Sequence, residues 1–297
     1  METGLFLVIL SAMCFGGGQV LIRRGTHQAE ESFTAATISV IVGTLLFIVV
    51  LPLSGDWIRL CSLSWQGFSL LAGAGITNFV AGRYLAFTAI RLIGANKGGA
   101  IAKANILFGV ISGIVFLHEP VTALLILGAI GIMAGVILVS FEGEGKDFFT
   151  VPAWKMKGVI FALVAALFTA TSSILVKQAM NEVGSPYAAT FVSYIAAFFF
   201  MASILLFGKR QRDQLFQISR YNLIVLTAAA VFALAAHILR YAALIYSPVS
   251  AVQPIMGTSV LFVFFFSLMV NRRIDVFTWR VFVGILIIVV GTFLICL

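Results

Sequence analysis

Residues 4–23 of the chain read GLFLVILSAMCFGGGQVLIR, and residues 158–177 read GVIFALVAALFTATSSILVK. Both segments start with glycine, end with a cation and run apolar in between, and they lie 154 positions apart. The same offset relates Arg83-Tyr84-Leu85 to His237-Ile238-Leu239. The chain is therefore predicted to contain two copies of one unit. We place the first copy at 1–141, a polar linker at 142–156 and the second copy at 157–297.

Hydropathy sets the fold class of both copies. The chain is 61% hydrophobic and only 10% charged, whereas soluble domains are about 25% charged. Helices of about 20 apolar residues cross a hydrocarbon core of about 30 Å. We predict an all-α integral membrane protein with ten transmembrane helices, near 4–23, 33–53, 67–90, 97–117, 121–141, 157–177, 187–207, 221–245, 249–270 and 276–296.

Each copy holds five of these spans. Because five is odd, the second copy must enter the bilayer upside down relative to the first, which gives two inverted five-helix repeats (5+5). This architecture is typical of secondary transporters, in which the substrate binds between the repeats. The duplication therefore favours a transporter.

The distribution of Lys and Arg predicts the orientation. One set of loops carries fourteen of these residues and the other carries two, Arg59 and Lys177. Cytoplasmic loops are enriched in Lys and Arg, so the count predicts a multi-pass protein of the cell (inner or plasma) membrane with both termini outside. The richer set consists of Arg23, Arg24, Arg91, Lys97, Lys146, Lys155, Lys157, Lys209, Arg210, Arg212, Arg220, Arg272, Arg273 and Arg280.

Three further cations lie inside predicted spans: Arg83, Lys103 and Arg240. A charge within a span costs about 3 kcal/mol on insertion scales and usually faces the protein interior. The alternative is that these long side chains snorkel to the headgroups. We predict that Arg83 and Lys103 form a basic pocket for an anionic group, and that Arg240, near the outer end of its span, is a separate candidate.

Other polar residues within the spans are candidate substrate contacts, with His237 expected toward the outer side and Arg83 toward the cytoplasmic side. His237 occupies the repeat position of Arg83, and with Arg240 and Tyr241 it follows an i, i+3, i+4 spacing that puts all three on one helix face. Packing between helices is the alternative role for each of these residues. The predicted substrate-binding residues are Arg83, Lys103, His237, Arg240, Tyr241, Asn96, Tyr84 and Asn78.

The chain lacks the residues that several classes of function require. Asp56, Asp147, Asp213 and Asp275 lie in predicted loops, and Glu119 lies at the end of a span. A buried carboxylate for a cation/proton antiporter or an aspartyl protease is therefore missing. Nucleotide-binding, serine-hydrolase and zinc-protease motifs are absent as well. We predict no enzyme activity, no cofactor, no metal site and no nucleic-acid partner.

Several local sequences occur in an order that resembles one transporter family. Gly94-Ala95-Asn96-Lys97-Gly98-Gly99 opens the fourth span, and Phe116-Leu117-His118-Glu119 closes it. Gly128 and Gly135 of the fifth span correspond to Gly284 and Gly291 of the tenth. Together with the 5+5 duplication, these residues resemble the EamA family of the drug/metabolite transporter superfamily. The resemblance implies a substrate cavity between the repeats, alternating access, and peripheral fifth and tenth spans. It also implies cytoplasmic termini, the opposite of the charge count.

These observations lead to one functional prediction with two alternatives. The chain is predicted to export a small organic metabolite, such as an amino acid or another carboxylate-bearing solute, through a central cavity. A flippase for a lipid or a lipid-linked sugar is the alternative within transport. A non-transporting membrane receptor or assembly protein is the alternative outside it. The expected partners are the substrate and membrane lipid, and the protein is expected to be a monomer or a homodimer.

Overall fold

The computed structural model describes residues 2–27, 32–61, 63–108, 111, 122–140, 153–246 and 255–295. In the first copy the helices are α1 (Glu2–His27), α2 (Ser32–Ser54), α3 (Ile58–Cys61), α4 (Trp65–Gly75), a π-helix (Ile76–Gly82), α5 (Arg83–Ile93), α6 (Ala95–Ile101) and α7 (Ala123–Ser140). In the second copy they are α8 (Ala153–Val183), α9 (Pro186–Phe207), α10 (Lys209–Phe216), α11 (Arg220–Tyr246), α12 (Ser259–Val270) and α13 (Trp279–Ile295).

Seven helical stretches are apolar and long enough to cross a membrane, and they match the first, second, third, fifth, sixth, seventh and eighth predicted spans. They are Thr3–Thr26, Ser32–Ser54, Trp65–Ile93, Ala123–Ser140, Trp154–Val176, Pro186–Phe207 and Arg220–Arg240. Two shorter apolar helices, Ile255–Val270 and Trp279–Ile295, stand at the ninth and tenth. The chain is an all-α, multi-pass membrane protein, as its hydropathy predicts. Part of the fourth predicted span lies outside the described residues, so the number ten stays a prediction.

Helices of the two copies interleave in the centre of the protein. The first-copy helix α1 packs against α11 and α12, and α2 packs against α9 and α11. The third predicted span, formed by α4, the π-helix and α5, packs along α8. Because each of these contacts joins the two copies, any central site is built from both.

The pair α7 and α13 stands apart, since each helix packs mainly on the other. Glycines make this contact close. A Cβ atom added at Gly128 would come within 2.6 Å of the Gly291 carbonyl oxygen, and one at Gly135 would come equally near that of Gly284. Small residues of this kind let membrane helices approach backbone to backbone. This explains why the motif glycines recur in both copies.

Both copies interrupt a helix at matching positions. In the first copy, residues 102–103 form a turn. Its backbone hydrogen bonds join residues three apart instead of four, as from Lys103 N to the Ala100 oxygen at 3.1 Å. In the second, Thr258 N bonds to the Ile255 oxygen at 3.0 Å. Such i→i+3 bonds inside a helix are typical of hinges and functional sites. These breaks place polar backbone groups near Lys103.

Candidate functional site

Arg83 is the first residue of α5 and follows directly on the π-helix. Its backbone N–H bonds to the Asn78 carbonyl oxygen, five residues back, which is the bonding pattern of a π-turn. Ten residues separate Arg83 from Ile93, the end of α5, so Arg83 lies about 15 Å along the helix from that end. This depth is about half of a hydrocarbon core of ~30 Å.

The guanidinium of Arg83 is held by side chains from three helical elements. Its Nη1 atom donates to Ser39 Oγ of α2 at 2.8 Å, and its Nη2 atom donates to the Tyr194 hydroxyl of α9 at 3.1 Å. The rings of Phe79 and Tyr194 lie 4.7 Å and 5.5 Å from its Cζ atom. These described partners are hydroxyls and aromatic rings, so they position the positive charge without neutralising it.

His237 and Arg83 both contact the ring of Phe79. The His237 ring meets Phe79 edge-to-face at 6.1 Å between centroids and meets Phe15 of α1 at 5.1 Å. Arg83 and His237 occupy equivalent positions in the two copies. Equivalent residues of an inverted repeat lie close together only near the axis that relates the copies. Phe79 therefore lies near that axis.

Lys103 and Arg240 extend this group. Lys103 Nζ donates to Ser259 Oγ at 2.9 Å and to the Met256 carbonyl oxygen at 3.3 Å, on either side of the break at Thr258. Arg240 interacts electrostatically with both Lys103 and His237. Each of the four is half-buried. We call Arg83, Lys103, His237 and Arg240 the central basic group.

The remaining predicted site residues lie elsewhere or are not described in full. Tyr84 is 41% exposed and packs edge-to-face on Phe33. Asn78 is half-buried in the π-helix. Asn96 is buried, and its Nδ2 atom donates to the Val276 carbonyl oxygen at 3.1 Å, at the basic end of the helices. Tyr241 belongs to α11, but its side chain lies outside the described part of the chain.

A buried ion pair closes this basic end. Arg23 Nε lies 3.3 Å from Asp275 Oδ1, and the Asp275 side chain is fully buried. Arg23 also donates to the carbonyl oxygens of Ile90 (3.0 Å) and Ile274 (2.8 Å). Asp275 stands in a loop, as predicted, but the loop folds inward over the helix ends. We call this pair and its partners the Arg23–Asp275 clamp.

Asp275 accepts further hydrogen bonds from other helices. Ser267 Oγ of α12 and the backbone N–H of Ala95, at 3.1 Å, donate to its carboxylate. Burial raises the pKa of Asp275 above its ordinary value, although these donors and Arg23 oppose that shift. Gly94 has a φ of +90°, and a Cβ atom there would come within 2.4 Å of Asp275 Oδ1. The clamp thus joins α1, α5, α6 and α12, and its geometry requires glycine at position 94.

Comparison with known proteins agrees with this architecture. The model of the EamA-like transporter family matches residues 2–141 and 156–297. The chain belongs to the EamA-like transporter family. The order of its motifs predicted this family.

Two individual proteins are similar to this EamA-like chain. An "Uncharacterized transporter" of Methanothermobacter thermautotrophicus is 26% identical over 142 residues, which cover 48% of this chain and 40% of that relative. A solved structure described as "Crystal structure of protein" has a TM-score of 0.63 and 14% identity, and the match covers 97% of this chain and 94% of that one. The second likeness concerns the fold alone.

The structure adds residues to the site that the sequence did not single out. Phe79 stands four residues before Arg83, a spacing at which ring and cation can meet on a helix, so it was detectable in principle. Ser39 and Ser259 each stand among other hydroxyl residues of their segments and carry no such signal. Asp275 lies 252 positions from Arg23, and only the folded chain pairs them.

Proposed function

We propose that this EamA-like transporter carries a small organic metabolite with a carboxylate or another anionic group, such as an amino acid. The observation that supports it is the central basic group. Arg83 has five N–H donors, and its described hydrogen bonds use two of them. Cations deep in a membrane protein mark substrate paths when a counter-charge can reach them. An anionic substrate supplies that charge.

Alternating access is supported by the way in which the two copies share the site. Arg83 and Lys103 come from the first copy, and His237 and Arg240 come from the second. A rocking motion of one copy against the other therefore separates or joins the two halves of the central basic group. The Arg23–Asp275 clamp would close the basic end in one of the two states.

Orientation and direction form part of the proposal. The excess of Lys and Arg favours the basic end in the cytoplasm of a cell that carries the protein in its inner or plasma membrane. Both termini would then lie outside. Export is the direction that we propose, because it is the usual one for the family that the sequence resembles.

Uptake into proteoliposomes tests the proposed function. The purified protein would be screened with radiolabelled amino acids and organic acids, beside neutral and cationic solutes of similar size. We expect an anionic or zwitterionic solute to be transported and Arg83→Ala to lower kcat/KM about 10- to 100-fold. That range corresponds to losing a hydrogen bond to a charged group, about 1.5–3 kcal/mol.

Tyr84→Ala is the matched control, since Tyr84 is the next residue of α5 and packs on Phe33 outside the central basic group. Its kcat/KM should stay near that of the unchanged protein. Anion transport that survives the double change Arg83→Ala and Lys103→Ala would overturn the central basic group as the substrate site, and transport of neutral or cationic solutes alone would overturn the proposed substrate class. Movement of a fluorescent phospholipid in place of every soluble solute would favour the flippase.

A further inference from the structure

A second basic feature lies at the surface of the basic end, outside the central basic group. It is a cavity of about 640 Å³ lined by Arg24, Tyr221, Val270, Asn271, Arg272, Arg273 and Ile274. Three arginines thus face one space, and its lining includes no carboxylate. The nearby carboxylate, Asp275, is fully buried and paired with Arg23. We call this space the arginine pocket.

The pocket is built by three helices that meet. Arg24, near the end of α1, donates from Nε to the Tyr221 hydroxyl of α11 at 2.6 Å and from Nη1 to the Val270 carbonyl oxygen of α12 at 3.0 Å. Arg272 and Arg273 follow α12 directly, and both are exposed. The first arginine is therefore fixed in place, while the other two can turn toward a ligand.

An apolar surface runs from the pocket along the same helices. Tyr221 and Ile224 of α11 are 49% and 68% exposed, and Phe265 and Met269 of α12 are 50% and 81% exposed. In a membrane protein these residues face lipid. They extend from the pocket toward the middle of the bilayer, the direction that acyl chains take below a headgroup.

The helix α1 forms the floor between these two apolar faces. At mid-depth its Gly16 lies against Phe262 of α12, and its neighbour Gly17 lies against Phe232 of α11. Leu21 stands three residues before Arg24, and so on the same side of α1, and it is half-buried. Since α1 packs against both α11 and α12, we call α1 and these two flanking apolar faces the apolar groove below the arginine pocket.

We propose that the arginine pocket binds the phosphate headgroup of an anionic phospholipid whose acyl chains lie in this groove. Guanidinium groups match phosphate oxygens in pairs. Basic pockets between helices on the cytoplasmic side are suited to anionic lipid headgroups. The apolar groove distinguishes a lipid from free phosphate, which would use the arginines alone.

Native mass spectrometry of the full-length protein in detergent tests the assignment. The protein would be titrated with long-chain phosphatidylglycerol and, separately, with phosphatidylcholine of the same chains. We expect the first phosphatidylglycerol to bind at least tenfold more tightly than phosphatidylcholine. The double change Arg272→Gln and Arg273→Gln should weaken phosphatidylglycerol binding about tenfold or more, since each cation near the surface contributes measurably.

The double change Lys209→Gln and Arg212→Gln is the control. Both residues are exposed on α10 and lie outside the pocket lining, so the net charge falls by the same two units. An equal loss of binding in both variants would show diffuse attraction and overturn the pocket. Each variant's melting temperature would be measured without lipid, and the exposed positions should leave it unchanged.

Competition experiments distinguish a lipid ligand from free phosphate. Inorganic phosphate and glycerol 3-phosphate would be added at the same concentrations as competitors. We expect neither to displace the first phosphatidylglycerol. Full displacement by either soluble phosphate would overturn a lipid site, as would equal binding of phosphatidylcholine.

Discussion

Arg83 carries its charge at mid-depth, although its described partners are two hydroxyls and two aromatic rings. Tyr194 supplies one hydroxyl and one of the rings, and only 1% of its surface is exposed. Its ring fits because residue 43 of the facing helix is a glycine. A Cβ atom at Gly43 would lie 2.3 Å from Tyr194 Cε1. One missing methyl group therefore helps to set the position of the charge.

Gly43→Ala should displace the Tyr194 ring and loosen Arg83. We expect overpacking to destabilise the protein by about 1–3 kcal/mol. Transport should fall by more than the loss of folded protein accounts for. Melting temperature and uptake would be measured on the same preparations. Gly73→Ala is the control, because a Cβ atom there meets Leu175 at an ordinary 3.6 Å. Normal transport by Gly43→Ala would contradict this account of the Arg83 position.

Tyr194→Phe separates the hydroxyl of Tyr194 from its ring. The ring keeps its packing, whereas Arg83 Nη2 loses a hydrogen bond worth about 0.5–1.5 kcal/mol. We expect kcat/KM for the anionic substrate to fall about three- to tenfold with little change in melting temperature. Uptake kinetics and thermal melting check this, and a drop as large as that of Tyr194→Leu would mean that the ring contact with Arg83 plays no part.

At the scale of the helices, irregular helices lie at the centre and a regular helix pair lies at the side. The π-helix and the breaks at 102–103 and Thr258 hold backbone polar groups and cations near the centre. The pair α7 and α13 makes a regular glycine-mediated contact at the side. Irregular backbone inside a membrane persists only where it is buried in protein or lines a polar space. The irregular helices thus belong to the site, and the regular pair supports it.

Gly135→Val should separate α7 from α13, because even the first added carbon would lie 2.6 Å from the Gly284 carbonyl oxygen. We expect a loss of about 1–3 kcal/mol in stability and an unchanged KM in the protein that stays folded. Ile137→Ala is the control, since Ile137 lies on the same helix and is 54% exposed. Thermal melting and uptake would be measured for both. A changed KM for Gly135→Val would link this pair to the substrate site.

Across the whole molecule, the Arg23–Asp275 clamp connects helices of both copies at the basic end. Three helices converge on one buried carboxylate, so opening that end requires separating charges that water does not stabilise. Removing one partner of a buried ion pair leaves the other charge uncompensated, at a cost of about 3–5 kcal/mol. The clamp therefore suits a gate between two states, and we expect it to break when the basic end opens.

Asp275→Asn tests that expectation. In a protein whose native cysteines are replaced, a cysteine at Thr88, which is 5% exposed, would report access from the basic end. We expect Asp275→Asn to speed labelling of this cysteine by a soluble maleimide at least severalfold. Arg280→Gln, an exposed change at the same end, should leave the rate unchanged. If Asp275→Asn lowers stability but leaves the labelling rate of this cysteine unchanged, the clamp has a structural role only.

The residues of the site were predictable to different degrees. Arg83, Lys103 and Arg240 stand out because a charge in an apolar stretch is visible without a structure. His237 follows from its equivalence to Arg83. Asn96 shares a helical spacing with Lys103, yet the structure places it against Val276, because the helix break at 102–103 ends the regular spacing between them.

The sequence by itself determined the fold class, the position of the seven membrane-length helices and the duplication. Hydropathy and repeats are local properties, and a bilayer converts an apolar stretch into a helix with few alternatives. Only the tertiary structure decided that Arg83 and His237 share Phe79, that Lys103 reaches Ser259 and that Asp275 pairs with Arg23. These contacts join residues more than 150 positions apart. They depend on how glycines and helix breaks let the helices pack, which no single stretch of sequence contains.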